Sequence, residues 1–431
     1  MILRLSSSVA RGAILLFAVF LFAFLSYFAI RNARAAHQAG LNTAAGFQRA
    51  VQLEPGNPEN WYLLGRFWQY NLEDPDTQKA IQDYVISLGF DPCSGRTWAE
   101  LGTAYELESD IPAAQNAFLR AKEVYPLSAE VAWRYGNFLL RQGRTEEAFK
   151  EIHRAVEAEP RRGAEAFSRC LRVEPNVDVI FDRVLPASSA VYADVLRDLA
   201  TDNQIDNALK VWNRLVALHP HLALQDAYPL VSALLQRKDA AQALRVWDQA
   251  AGFAGLSQLR NPPDSAIWDG GFELGVSGSS FAWFFNSSSG DVQITSDSNE
   301  KHSGNRSLRL MFDGKTNINF ADVCQYAVVH PSTHYRFSAW MRTAGITTEQ
   351  GLRFRLGAIG TLDPSVVVTP ELHGTQPWTR VEIPWDSTSD AQILQICLVR
   401  YPSGLPNGDI QGTAWVDDAV LLPESAESHQ P

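Results

Sequence analysis

The fold of this chain is decided by residues 93–160, which read CSGRTWAELGTAYELESDIPAAQNAFLRAKEVYP (93–126) and then LSAEVAWRYGNFLLRQGRTEEAFKEIHRAVEAEP (127–160). Pro92, Pro126 and Pro160 are 34 residues apart, so the stretch contains two units of equal length that end in the same way. Aromatic, aliphatic and small residues recur at matching positions. They are Trp98, Leu101, Gly102, Tyr105, Ala114, Phe118 and Ala121 in the first unit, and Ala132, Tyr135, Gly136, Leu139, Ala148, Ile152 and Ala155 in the second. This period predicts stacked helical units.

The first unit resembles the tetratricopeptide repeat (TPR), whose pattern is W-x2-L-G-x2-Y, then A-x3-F, then P. The resemblance implies pairs of antiparallel helices. Small residues such as Gly102 and Ala121 let the two helices approach closely, Phe118 fills the space between them, and the closing proline ends the second helix. One hairpin cannot bury its own apolar face, so several must stack into an α-solenoid.

Weaker copies of the pattern extend on both sides of this stretch. A half-unit ends at Pro55, and a longer unit of 37 residues ends at Pro92. The pattern falters after Pro160, and two degenerate units follow. The sequence therefore predicts a TPR α-solenoid at 36–255, and the resemblance implies that it binds a protein partner.

An apolar run lies near the N-terminus, where residues 13–30 read AILLFAVFLFAFLSYFAI. About 20 such residues span the hydrocarbon core of a bilayer, so the run is about long enough to cross a membrane. Arg4 and Arg11 precede it, while Arg31 and Arg34 follow it. This equal count of basic residues does not decide the orientation.

The sequence Ala-Arg-Ala at 33–35 fits the A-x-A pattern of a signal-peptide cleavage site. A cleaved secretion signal and a retained anchor both remain open, and the length of the apolar run favours the anchor. We assign 1–11 to a short N-terminal stub and 12–31 to a transmembrane anchor or signal. The bulk of the chain is expected outside the cytoplasm.

The sequence pattern changes after Pro262 and Pro263. Gly, Ser, Thr and Asn become frequent, and apolar residues alternate with polar ones, as in YRFSAWMR (335–342). Such short alternating strands separated by turns predict an antiparallel β-sandwich. We place a linker at 256–265, the sandwich at 266–424 and a polar tail at 425–431. The expected fold class is multidomain α + β.

Five segments of the second domain occur in the order found in carbohydrate-binding modules with a jelly-roll, galactose-binding-like fold, which the domain resembles. They are WDGGFE (268–273), HSGNRSLRL (302–310), YRFSAW (335–340), WTRVE (378–382) and WVDDAVL (415–421). The resemblance implies the fold more strongly than it implies a sugar, because this fold also hosts other ligands. It places Trp268, Trp378 and Trp415 in framework segments, so we expect them in the core.

The composition is that of an ordinary globular protein, with 46% hydrophobic and 20% charged residues. The formal net charge of −11 argues against a nucleic-acid partner, which normally meets a basic patch. The sequence contains no H-E-x-x-H, G-x-x-x-x-G-K-[ST] or G-x-S-x-G motif. We therefore expect no enzyme activity.

Members of the carbohydrate-binding module family often hold a structural calcium ion where the first strand meets the last. The resemblance places candidate ligands at Glu273 and Asp418, together with backbone oxygens of the 302–305 loop. Carboxylate and carbonyl oxygens suit calcium. The alternative is that both carboxylates are solvated residues at strand ends.

Sugar rings stack on exposed aromatic side chains, and Trp340 is the best candidate for such a platform. It lies on the strand face opposite the apolar residues of its own strand. Arg336, Arg342, Arg353 and Arg355 are predicted to share that face, and these cations would suit an acidic glycan. The alternative is that Trp340 belongs to a second core layer and that the arginines are solvated.

The concave wall of a solenoid is its usual peptide-binding surface. Helical spacing places Tyr62, Arg66, Arg96, Trp133 and Asn137 on that wall. Trp133 stands beside the packing position of its repeat, so we consider it an exposed anchor for a partner. Partial burial against the neighbouring repeat is the alternative.

Two of the four cysteines fall in predicted strands of the sandwich. Export would permit a disulfide between Cys324 and Cys397, a pairing that the sequence leaves open. Cys170 occupies a small-residue position of the repeat, so we expect a buried free thiol there.

Together these patterns predict a membrane-anchored, non-catalytic adaptor. Its solenoid would bind protein partners and its sandwich would bind a glycan, with exopolysaccharide or envelope assembly as a hypothesis for its role. A protein-interaction scaffold whose sandwich has no sugar ligand is the alternative. A hydrolase acting on glycans is a third interpretation, and it requires paired carboxylates in a cleft.

Overall fold

The computed structural model describes residues 8–218, 222–276, 278, 280–285 and 292–424. The first seven residues of the predicted stub and the predicted tail at 425–431 lie outside this part of the chain. Within it, the N-terminal half is helical and the C-terminal part is built of strands. The α-helices are α1 (Ser8–Gly40), α2 (Ala44–Leu53), α3 (Pro58–Tyr70), α4 (Thr77–Phe90), α5 (Gly95–Leu107), α6 (Ile111–Val124), α7 (Ala129–Arg141), α8 (Thr145–Ala158), α9 (Gly163–Leu171), α10 (Val177–Arg183), α11 (Ser189–Thr201), α12 (Ile205–Ala217), α13 (Tyr228–Gln236) and α14 (Ala240–Phe253).

Consecutive helices pack as hairpins, α3 with α4, α5 with α6 and α7 with α8. Each hairpin closes over a glycine of its first helix. A Cβ atom on Gly65, Gly102 or Gly136 would lie within 3 Å of Tyr84, Phe118 or Ile152 respectively. The close approach that the repeat pattern implied is therefore present, and the predicted helical solenoid is confirmed.

The apolar N-terminal helix is the first helix of the first hairpin. The α1 helix runs without a break from Ser8 to Gly40, and its last turns pack against α2. Ala35 is fully buried there, and a Cβ on Gly46 would meet the carbonyl oxygen of Gln38. The helix from Arg11 to Gly40 is long and apolar enough to cross a membrane, and its apolar window is not buried within the described structure.

The strands form two antiparallel sheets of five strands each, which confirms the predicted sandwich. Sheet A has the order β1-β4-β9-β6-β7, and sheet B has the order β2-β3-β10-β5-β8. The strands are β1 (Phe284–Phe285), β2 (Val292–Asp297), β3 (Ser307–Asp313), β4 (Phe320–Val328), β5 (His334–Ile346), β6 (Arg353–Ala358), β7 (Val367–Val368), β8 (Gly374–Asp386), β9 (Ile393–Arg400) and β10 (Gln411–Pro423).

One apolar core lies between the two sheets. Period-two alternation directs Phe337 and Met341 of β5 and Leu356 of β6 inward, where they are fully buried. On the outer side of sheet A, Cys324 of β4 and Cys397 of β9 are paired residues and form a disulfide. Cys170 is a buried free thiol, and burial raises its pKa to about 12.

Internal contacts divide the chain into two units, Met1–Val191 and Tyr192–Pro431. The division falls within α11, whereas the sequence pattern placed a linker at 256–265. In the second unit, Trp247 of α14 packs edge-on against Trp268 and Phe281, which precede the first strands. The limits 36–255 and 266–424 therefore describe sequence patterns, and as domain boundaries they stay predictions.

Candidate binding sites

The first helices of consecutive hairpins are joined side by side by polar contacts, and we call the row of side chains on α3, α5, α7 and α9 the first-helix wall. All five predicted partner-binding residues belong to it. The contacts are Glu59–Arg96, Arg66–Glu100 and Tyr70–Glu100 between α3 and α5, Glu100–Arg134 and Glu106–Arg141 between α5 and α7, Asn137–Arg169 between α7 and α9, and Glu130–Arg162 between α7 and the residue that directly precedes α9.

Glu100 is the most buried carboxylate of the wall, with a side chain that is 3% exposed. Arg134 donates to it over 2.9 Å, the Tyr70 hydroxyl donates over 2.7 Å, and Arg66 lies 3.6 Å away. Burial, and then the nearby Glu100 carboxylate, raises the pKa of Tyr70, so this hydroxyl keeps its proton and remains a donor. Glu100 thus ties three consecutive hairpins together.

The prediction of Trp133 as an exposed anchor is wrong, because its residue surface is only 7% exposed. The guanidinium groups of Arg162 and Arg169 lie 5.3 and 5.2 Å from its ring centre. Both arginines come from the region where the repeat pattern falters. Asn137 is buried as well, and it accepts a hydrogen bond from Arg169 over 2.9 Å.

Exposed guanidinium groups lie around Tyr62 on the wall. Tyr62 is 7% exposed, and Arg96 and Arg66 lie 4.4 and 5.8 Å from its ring. The side chains of Arg66 and Arg96 themselves are 48% and 56% exposed. A partner would therefore meet guanidinium groups held over aromatic rings, a surface that suits carboxylates and aromatic side chains.

In the sandwich, Trp340 lies on the outer face of sheet B and is half-buried. The imidazole ring of His302 stacks on one side of it with 4.0 Å between ring centres. The side chain of Trp378 stands 5.8 Å from the same imidazole. Trp340 is therefore neither fully open nor part of the core between the sheets, and His302 already covers part of its ring.

A second group of aromatic and cationic side chains continues this face. Trp415 pairs in register with Arg342 on one side and Arg309 on the other, so all three share the face of Trp340. The guanidinium groups lie 5.5 and 6.0 Å from the Trp415 ring, and its indole N–H donates to Asp297 over 3.0 Å. Trp415 is buried, as expected, with 8% of its surface exposed, but it lies on the outer side of sheet B and not in the core between the sheets.

The alternation of β10 contains the signal for this placement. Val416 points into the core between the sheets, so its neighbours Trp415 and Asp417 point outward. Strand alternation could not predict the contact of His302 with Trp340, because His302 belongs to a loop that only the tertiary fold brings next to β5. Of the expected framework tryptophans, Trp268 is buried, with 2% of its surface exposed.

The predicted single face of four arginines is wrong, because the strands that carry them lie in different sheets. Arg336 and Arg342 belong to β5 in sheet B, whereas Arg353 and Arg355 belong to β6 in sheet A. Alternation shows which side chains point away from the core, but it does not show which sheet a strand joins. Arg353 lies 5.3 Å from the ring of Tyr401 on the outer side of sheet A.

The two cations that remain with Trp340 have carboxylate partners. Arg336 donates to Glu424 over 2.5 Å, and Arg342 contacts Glu300. The two arginines and Glu300 are about 40% exposed and Glu424 is 23% exposed, so solvent screens the pairs and they can exchange partners. An acidic ligand would compete with protein carboxylates at both positions.

The candidate calcium ligands meet the same loop at one end of the sandwich. Glu273 accepts a hydrogen bond from the backbone N–H of Asn305 over 2.7 Å. Asp418 accepts from the hydroxyl of Ser303 over 2.7 Å, and its other oxygen lies 2.6 Å from Nδ1 of His302. The loop thus directs donors, not carbonyl oxygens, toward both carboxylates.

Two further carboxylates hold these loops. Asp417 is fully buried and accepts the backbone N–H groups of His302 and Ser303, and burial raises its pKa to about 6. Asp269 accepts the N–H groups of Glu273 and Leu274, and burial raises its pKa to about 7. Both act as acceptors that close turns.

Within the described ranges, no group of three or more His, Cys, Asp or Glu side chains is arranged to hold a metal ion. The contacts of Glu273 and Asp418 do not fit the oxygen-rich set that calcium prefers. The calcium site stays a prediction from the resemblance, and nothing below is built on it.

Comparison with known proteins supports no closer assignment. No protein-family model matches the sequence, and no curated protein matches it significantly. Among solved structures, one similar chain is described as YrrB, a TPR protein with an unusual peptide-binding site. It is 14% identical, aligns with 49% of this chain and 94% of its own, and has a TM-score of 0.26.

A second similar structure is described as a putative sugar-binding protein from Bacteroides thetaiotaomicron VPI-5482. It is 10% identical, aligns with 37% of this chain and 100% of its own, and has a TM-score of 0.29. By its own geometry, the chain combines helical hairpins of TPR type with a C-terminal antiparallel β-sandwich.

Proposed function

We propose that this protein is a membrane-anchored, non-catalytic adaptor that binds a protein partner through its first-helix wall and an acidic glycan through the outer face of sheet B. The observation that carries the proposal is the set of side chains around Trp340. The half-buried Trp340 offers a stacking surface for a sugar ring, and Arg336 and Arg342 of the same strand face offer cations for its carboxylates.

The contacts of Trp340 define the mode of binding. Because His302 stacks on one side of Trp340, a sugar ring would use the edge and opposite side of the indole, or displace the imidazole. Arg342 would exchange Glu300 for a carboxylate of the glycan. Affinity for acidic glycans should therefore fall as the salt concentration rises.

Trp340→Ala tests this proposal in the full-length chain, held in lipid nanodiscs and applied to a panel of neutral and acidic polysaccharides. We expect wild type to bind acidic members, and we expect the variant to bind about 10-fold or more weakly, because the aromatic stacking surface for the sugar ring is lost. Tyr401→Ala is the matched control. Tyr401 is also a half-buried aromatic residue, but it directly follows β9, which belongs to sheet A.

The two variants separate the possible sites. Weakened binding in Tyr401→Ala with normal binding in Trp340→Ala would move the site to sheet A, beside Arg353. An absence of binding by wild type across the panel would remove the glycan from the proposal. The protein would then be a scaffold whose sandwich serves protein contacts, which is the second candidate.

The role that fits this combination is the organisation of exopolysaccharide or envelope assembly at a membrane, with the bulk of the chain outside the cytoplasm. It is supported by the apolar α1 helix and by the Cys324–Cys397 disulfide, which an oxidising compartment favours. A reporter fused after Pro431 that is active only outside the cytoplasm tests the orientation. Activity inside would overturn the envelope role.

A further inference from the structure

A cleft of about 520 Å³ opens between the second helices α4 and α6, away from the first-helix wall. This volume is in the range of sites that bind small molecules. Its floor belongs to the apolar core shared by two repeats, and its polar groups stand on α6. The lining residues are Val85, Leu88 and Gly89 of α4, Trp98, Leu101 and Tyr105 of α5, and Ala113, Asn116, Ala117 and Arg120 of α6.

One aromatic wall of the cleft is fixed by a hydrogen bond. The indole N–H of Trp98 donates to the carbonyl oxygen of Pro92 over 2.9 Å. Trp61 at the matching position of the preceding repeat makes the same bond to Pro55 over 2.8 Å. The ring is therefore preorganised, so a ligand would not have to order it on binding.

The next groove along the solenoid, between α6 and α8, is filled by charged side chains. Glu151 of α8 has an 8% exposed side chain and lies between two cations. Lys122 donates to one of its oxygens over 2.5 Å, and Arg154 donates to the other over 2.6 Å. A carboxylate thus occupies this groove and satisfies both cations.

The cleft between α4 and α6 differs from that groove at two of these three positions. Counting back 34 residues, Leu88 stands in place of the lysine, Ala117 in place of the glutamate and Arg120 in place of the arginine. The arginine is kept, but the carboxylate is missing. Arg120 instead pairs with Glu123 at the surface, where both side chains are more than half exposed.

The preceding groove supports the same comparison. There the ammonium group of Lys79 lies 4.7 Å from the ring of Trp68 and covers it. The matching residues of the cleft are Ala113 and Tyr105, and alanine is too short to cover the ring. Residues that fill the neighbouring grooves are therefore replaced here by short or apolar ones.

We propose that this cleft binds an amphipathic organic anion, with an aromatic or aliphatic body on the Trp98 side and a carboxylate against Arg120. Such a ligand supplies the carboxylate that Glu151 supplies in the next groove, and its body fills the space left by Ala113 and Ala117. Exchange of the exposed Glu123 pair for a ligand carboxylate costs little, because solvent screens that pair.

The test uses 4-phenylbutyrate as the probe and its neutral amide as the matched ligand, with the full chain in lipid nanodiscs and empty nanodiscs subtracted. Binding is measured by saturation-transfer NMR titration. We expect saturable binding of the carboxylate and about two- to fivefold weaker binding of the amide, because the solvent-screened ion pair with Arg120 is lost. Equal binding of both ligands, or no binding by wild type, would overturn the proposal.

Two variants fill the cleft with side chains taken from the neighbouring grooves. The double variant Leu88→Lys, Ala117→Glu introduces the equivalent of the Lys122–Glu151 pair. The variant Ala113→Lys introduces the equivalent of Lys79, which lies over Trp68 in the preceding groove. Both should abolish probe binding while the helical circular dichroism stays unchanged. Leu119→Lys adds a charge on α6 outside the cleft and should keep the wild-type affinity. If either filled variant that retains its fold still bound the probe normally, the cleft would not be the site.

Discussion

Asp83 is a carboxylic acid that the solenoid buries in α4, with 8% of its surface exposed. It occupies the repeat position that Ala117 and Glu151 occupy in the next two repeats. Glu151 is paired with cations. At Asp83, burial alone raises the pKa of the carboxyl group to about 7. The same position thus has three different electrostatic roles.

We expect Asp83 to make stability fall as pH rises. In the unfolded chain this carboxyl ionises near pH 4, but in the folded chain it holds its proton to about pH 7. Its stabilising protonation is therefore present below pH 4 and lost progressively up to pH 7. Asp83→Asn should remove about 2–4 kcal/mol of this pH dependence.

The measurement is the free energy of unfolding by denaturant at pH 5 and pH 8 for wild type and variant. Glu157→Gln, at an exposed position of α8, is the control and should leave the difference between the two pH values unchanged. If the free energy of unfolding of wild type changed between pH 5 and pH 8 by the same amount as that of Asp83→Asn, the raised pKa of Asp83 would be contradicted.

For single residues, the sequence predicted the position of the side chains on the helices but not their burial. Tyr62, Arg66, Arg96, Trp133 and Asn137 do share one wall, because helical spacing alone determines that. The sequence left the burial of Trp133 open, since the arginines over its ring come from α9 and the residue before it, where the repeat pattern fails.

The hairpin is the element that the sequence predicted best. Gly102 was identified as a contact point, and a Cβ at this position would lie 2.9–3.0 Å from the Phe118 ring. Phe118 is fully buried, so it cannot move aside without disturbing the core. By contrast, sheet membership of β5 and β6 depends on contacts distant in sequence, and alternation within a strand contains no information about it.

Gly102→Ala should destabilise the solenoid by about 1–3 kcal/mol, because overpacking outweighs the gain in helix propensity. Gly89→Ala is the matched control on α4, where a Cβ would meet nothing within 4 Å. It should be neutral or stabilising. Thermal unfolding followed by circular dichroism compares the two, and equal melting temperatures would contradict the close approach.

For the whole molecule, the continuity of α1 decides how the apolar N-terminal segment and the solenoid are joined. Ala33, Arg34 and Ala35 fit a cleavage pattern in the sequence, but in the structure they lie inside one helix. Cleavage after Ala35 would remove a residue that is fully buried in the first hairpin. We therefore predict a retained anchor and not a removed signal.

An epitope tag before Met1 should remain on the mature, membrane-bound chain, and the intact mass should include residues 1–35. Ala33→Arg destroys the cleavage pattern at an exposed position and should leave the mass of the chain otherwise unchanged. A wild-type chain that begins at Ala36, with a longer product in Ala33→Arg, would show that the segment is a signal.

If α1 spans a membrane, as we propose, its unbroken helix also determines how the first hairpin moves with the anchor. A helix rises 1.5 Å per residue, so Ala35 stands only about 8 Å beyond the end of the apolar run at Ile30. With no flexible tether between them, tilt or rotation of the anchor turns the first hairpin by the same angle. Partners in the same bilayer would then diffuse in two dimensions and meet the first hairpin at a fixed height and orientation relative to the membrane. This confinement raises their effective concentration without any added contact.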